Sequence, residues 1–112
     1  MTVDVYKRYY AAKAEINGVP RRGALVLLIA DSAEGRIRYE AAVSFFPHRE
    51  ETDFSISYDA YRSAVLYEAA GRRSKKREEK LLAALPAEID RLAAQAGGEV
   101  LWDRPLREER RG

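Results

Sequence analysis

The sequence predicts an α+β fold: an antiparallel four-stranded meander followed by two helices packed on one face of the sheet. Three observations carry this reading. Residues 3–58 consist of apolar–polar alternating runs separated by turn-forming residues. Residues 81–96 carry apolar side chains at three- and four-residue steps. Between them lies Gly71–Lys80, GRRSKKREEK, which opposes six basic residues with only Glu78 and Glu79. The whole chain is +2, so the positive charge is local to this hinge.

Val3 to Ile16 is the first strand, rich in Tyr and Val. Asn17-Gly18 follows, and both residues accept the positive φ that a two-residue type I′ hairpin requires. Val19 to Ala30 is the second strand, and its GALVLLIA segment is apolar on both faces, so it belongs at the centre of the sheet. Asp31–Gly35 is a turn. Arg36 to Phe46 is the third strand, Pro47–Thr52 a polar loop, and Asp53 to Tyr58 a short fourth strand.

A turn at Asn17-Gly18 sets Ile16 opposite Val19 and Tyr10 opposite Leu25. Pairing Ala30 with Arg36 then gathers one core face. It holds Tyr6, Tyr10, Ala12, Ala14, Ile16, Leu25, Leu27, Ile29, Ile37, Tyr39, Ala41 and Val43. Arg8 fits this face badly, and a bulge near Tyr9-Tyr10 or a place at the rim would relieve it. The other face is mixed, with Val5, Lys7, Tyr9, Arg22, Val26, Leu28, Arg38, Glu40 and Phe46 among its residues.

Asp59 is a candidate N-cap for a helix over residues 60–70, with Gly71 as its C′ residue. A second helix begins near Ser74, and its Leu81, Leu82, Leu85, Ile89, Leu92, Ala93 and Ala96 face the sheet. Pro86 either kinks this helix or opens a third segment; the unbroken phase of the stripe favours the kink. Gly97-Gly98 stops the helix. Residues 99–102 are a candidate fifth strand, and residues 103–112 form a charged tail. One domain over residues 1–112 accommodates all of this.

Composition excludes several function classes. The chain has no cysteine, which removes disulfide scaffolds, thiolate zinc sites and a cysteine nucleophile, and is compatible with a cytoplasmic location. The N-terminus has no apolar h-region, and the longest apolar run, Ala24–Ala30, is far too short for a membrane span. No phosphate loop, dinucleotide fingerprint or metalloprotease motif is present, and no cofactor is expected. His48 stands near Glu50, Glu51 and Asp53, a set a hard cation could use but also an ordinary solvated loop.

Two surfaces remain. The hinge offers Arg72, Arg73, Lys75, Lys76 and Arg77 to an anion such as a phosphate backbone, although a charge run is more often a solvated face. Cations at a helix start oppose the macrodipole by some tenths of a kcal/mol each, roughly up to 1. The mixed face offers Lys7, Tyr9 and Arg38 as a track for a nucleic-acid strand. It equally offers Val26, Leu28 and Phe46 as the centre of a protein interface with a charged rim. The order of four strands and then a helix resembles, in outline, small single-strand nucleic-acid binders, the PUR-like family among them; no diagnostic motif of theirs is present. The sequence favours a non-catalytic intracellular binding or adaptor protein, a homodimer through the mixed face or the helices, over a nucleic-acid binder and over an enzyme.

Overall fold

The computed structural model describes residues 1–16, 18–47 and 61–106. Five strands form one antiparallel sheet: β1 (Thr2–Ile16), β2 (Val19–Ala33), β3 (Arg36–Phe46), β4 (Tyr61–Ala70) and β5 (Gly98–Pro105). Their order in space is β4-β3-β2-β1-β5, and a single helix, α1 (Lys75–Gln95), covers one face. The architecture is α+β, with five strands and one helix among the described residues where the sequence suggests four strands, a candidate fifth and two helices.

The turns explain how the register differs from expectation. Ile16 pairs with Val19, and Gly18 has φ 75°, in keeping with a tight hairpin at the first turn. The next turn is shorter than Asp31–Gly35. Glu34 and Gly35, at φ 53° and 76°, form its two central residues, so β2 runs on to Ala33 and Ala33 pairs with Arg36. Ala30 therefore faces Tyr39 rather than Arg36. A register shift in β1 between Ala11 and Ala14 moves Tyr10 opposite Ala24 rather than Leu25, and a second shift lies further along, between Asp4 and Tyr6. An odd displacement exchanges the two faces of a strand. Consequently Ala24, Val26, Leu28 and Ala30 point into the core, and Leu25, Leu27 and Ile29 lie on the opposite face, half-buried. Arg8 pairs with Val26 on the helix-covered side yet stays exposed, at the rim of the core.

The helix expected over residues 60–70 is a strand. Tyr61, Val65, Leu66 and Tyr67 all suit a pleated surface. Arg62 pairs with Val43 and Ala64 with Ala41 on the core side, whereas Val65 pairs with Glu40 on the other. A register shift at Leu66 then returns Tyr67 to the core side opposite Tyr39. That bulge breaks the two-residue period, and the resulting apolar spacing imitates a helical stripe. Gly71 ends the strand instead of a helix, donating its N–H to the Gly35 carbonyl at 2.8 Å. The expected strand over residues 53–58, the Asp59 cap and the His48 cluster lie outside the described residues.

Ser74 begins α1 as its N-cap, accepting from the Arg77 N–H at 3.2 Å. The helix continues through Pro86, which sits on its exposed side. Leu85, Ile89, Leu92 and Ala93 are buried against Val26, Leu28, Tyr39, Ala41, Val43, Phe45 and Val100. Gly97 turns the chain at φ 84°, and β5 returns along β1, with Ala14 opposite Gly98. A Cβ on Gly98 would lie 2.8 Å from the Ala14 Cβ and 2.8 Å from the Phe45 ring, so only glycine permits this approach. The candidate strand at residues 99–102 is thus part of a longer one. Trp102 closes the end of the core, edge-on to Tyr10 at 4.9 Å and donating from Nε1 to Asp90 at 2.8 Å. No helix among the described residues is long and apolar enough to cross a membrane.

Candidate functional site

Two surfaces hold the residues singled out from the sequence, and they lie on different sides of the sheet. The first is the face away from α1, on which no described element packs. Leu25, Leu27 and Ile29 run along its middle on the central strand. Lys7 pairs with Leu27 and Tyr9 with Leu25, so both belong to this face, as expected. Arg38 also does; its Nη2 meets Asp31 Oδ2 at 3.3 Å in an exposed pair. Phe46 lies here too, with the Tyr9 ring edge-on at 6.0 Å and its own ring filling the space above Gly23. Toward that end Arg21, Gly23 and Ser44 are buried. The accessible apolar part is therefore centred on Leu27 and Ile29, with Val65, 50% exposed, on the far side of Glu40.

Val26 and Leu28 are not part of this surface. Both are 0% exposed and lie beneath the chain's own helix. The face exchange described above removes them as interface residues and puts Leu25, Leu27 and Ile29 in their place. Sequence reasoning assigned those three to the core. The signal that could have placed them is the Glu34-Gly35 dipeptide as a two-residue turn, which fixes the parity of the strand.

The second surface is the hinge between β4 and α1, on the helix side of the sheet. Here the structure divides the five cations. Arg73 donates from Nε and Nη2 to the two carboxylate oxygens of Glu78, at 2.7 and 3.0 Å. Arg77 stacks over the Tyr67 ring, its Cζ 4.0 Å from the centroid. Arg72, Lys75 and Lys76 are exposed. The hinge cations and the Lys7–Tyr9–Arg38 track thus face opposite ways, and one nucleic-acid strand touching both would have to wrap around the β4 edge. Lys7 and Arg38 are themselves roughly 16 Å apart by strand spacing and rise, with Leu27 and Ile29 between them.

Glu78 is the residue that the sequence reading passed over. It is buried, and besides Arg73 it accepts from the Tyr39 hydroxyl at 2.7 Å. The Ser74 N–H in turn donates to the Tyr39 oxygen at 3.3 Å. The Arg73 guanidinium holds the Glu78 carboxyl below the usual carboxylate range, against the opposing effect of burial. Burial, then the bond to Glu78, pushes the Tyr39 phenol up. Glu78 precedes Leu81, Leu82, Leu85 and Ile89 at the same three- and four-residue spacing, which places it on the inward stripe. An acid on that stripe demands a cation and a donor, and the neighbouring Arg73 and the cross-sheet Tyr39 supply them.

Among the described residues, no group of three or more His, Cys, Asp or Glu could hold a metal ion. Compared with known proteins, the chain matches no protein-family model, no curated protein and no solved structure.

Proposed function

We propose that this chain is a non-catalytic intracellular binding protein that acts as a homodimer, with the open sheet face as its interface. The observation that carries the reading is the half-buried row Leu25, Leu27 and Ile29 on the central strand, with no described element packed over it. Exposed apolar surface at a sheet centre favours burial by about 25 cal/mol per Å². A second copy suits this face because its charged margin carries both signs. Lys7, Arg36 and Arg38 stand against Asp31 and Glu68, with Glu40 further in between Ile29 and Val65, so a two-fold arrangement can set unlike charges together. Sedimentation velocity at micromolar concentration should give a dimer. Leu27→Glu should give a folded monomer, because the substitution leaves the opposite, helix-packed core untouched. A wild-type chain that sediments as a monomer throughout the micromolar range would sink the proposal.

A second reading is favoured by one observation: Arg72, Lys75 and Lys76 are exposed and close together where the chain enters α1. These three could neutralise phosphates of a single nucleic-acid strand. Binding to an oligonucleotide would then fall with a log–log salt slope of about −2, as three contacts at about −0.7 each require. Replacing the three with glutamine leaves the Arg73 and Arg77 contacts in place. Unchanged oligonucleotide affinity in that variant would rule this reading out.

A further inference from the structure

The outer edge of β1 is only partly occupied. β5 pairs with it from Ala14 to Tyr10, and the last bond is from the Leu106 N–H to the Tyr9 carbonyl at 2.9 Å. Beyond that point, Thr2–Arg8 pairs with β2 on its inner side and with no described strand on its outer side. Where β5 leaves off, a cavity of about 410 Å³ is lined by Lys7, Arg8, Tyr9 and Leu106. In an antiparallel ladder, alternate residues direct both backbone groups to the same neighbour. The Tyr9 carbonyl points outward, so the N–H and C=O of Lys7 do as well. The cavity therefore adjoins a donor and an acceptor that have no backbone partner among the described residues. The side chains of Lys7 and Arg8 flank it, one on each face of the sheet, with no acid in the lining.

We propose that this edge docks an extended acidic segment of a partner protein, added as a strand beside Lys7. Backbone pairing would give the affinity, and side chains alternating to the two faces would set carboxylates against Lys7 on one face and Arg8 on the other. A second copy of β1 fits poorly, because antiparallel self-pairing brings Lys7 and Arg8 close to their own counterparts. The site is separate from the apolar centre of the open face, and Leu27→Glu leaves it intact.

The test is a nuclear magnetic resonance titration of the isotope-labelled full chain. The probe is an eight-residue peptide of valine and threonine with two adjacent glutamates at its centre, so that one carboxylate falls on each face. Shifts should concentrate at the Lys7, Arg8 and Tyr9 amides, and the Lys7 amide should become protected from exchange. The double variant Lys7→Glu, Arg8→Glu should bind about tenfold more weakly, and so should a peptide with lysine for glutamate. Equal affinity for the two peptides would overturn the proposal. Binding seen only in a chain ending at Leu106 would also overturn it, because residues 107–112 would then be the occupant. Equally large shifts from a short oligonucleotide would reassign the two cations to phosphate.

Discussion

Leu28→Ala should lower the unfolding free energy by about 3 kcal/mol, while Leu27→Ala, one residue away, should cost less than about 1 kcal/mol. Leu28 is 0% exposed among Val26, Ala41 and the α1 leucines, so its truncation leaves a cavity that a close-packed core does not collapse to fill. Leu27 is half-buried on the open face. Total stability for a domain of this size is about 5–15 kcal/mol, so the first substitution removes a large part of it. Urea denaturation at a concentration low enough to keep the chain monomeric separates packing from dimer linkage. The paired design reads the register directly. A reversed order, with Leu27 the costly residue, would mean that the Ala33–Arg36 pairing is wrong.

Glu78→Ala should cost about 2–3 kcal/mol at neutral pH. It removes the acceptor for both Arg73 and Tyr39 and leaves the Tyr39 hydroxyl without that bond in the core. The Arg73 side chain is 43% exposed and can turn to water, which keeps the loss below that of a fully buried ion pair. The pH dependence has a definite sign. The folded pKa of Glu78 lies below its ordinary value. Its contribution is therefore complete above the ordinary glutamate range near 4.3 and is lost as pH falls through the lower folded value. Stability of the wild type relative to Glu78→Gln should be greatest at pH 6 and shrink toward pH 3. A difference that stays constant over that range would show that the Arg73–Glu78 pair does not stabilise the fold through its charge.

These two experiments touch the places where the sequence was readable and where it was not. Ile16 opposite Val19, the limits of β1 and β3, the Ser74 start of α1 and its inward leucines could all be read from local pattern. Each depends on one period or one turn. The faces of β2 could not be read so directly, because GALVLLIA is apolar at every position and parity came only from the turns. One turn placed a few residues early, together with the unread shift between Ala11 and Ala14, exchanged Val26 and Leu28 with Leu25, Leu27 and Ile29. β4 was obscured differently: a single extra residue at Leu66 replaced a clean alternation with spacing that a helix also satisfies. At the hinge, the charges were visible but their partners were not. Tyr39 is 39 residues from Glu78 in sequence, and only the packed sheet brings the two together.

The pairing of β5 with β1 also has a kinetic meaning. β1 to β3 are joined by two-residue turns, and β4 lies beside its sequence predecessor, so each can zip from what is already formed. Ala14 and Gly98 must instead meet across more than eighty positions of chain, a closure that costs about 4 kcal/mol of entropy if the intervening segment is loose. Formation of α1 on the sheet shortens that effective span, since its C-terminus delivers Gly98 to Ala14 through the single turn at Gly97. The helix thus acts as a carrier for β5, and the seam it closes is where, among the described residues, the first strand and the last hold each other in register.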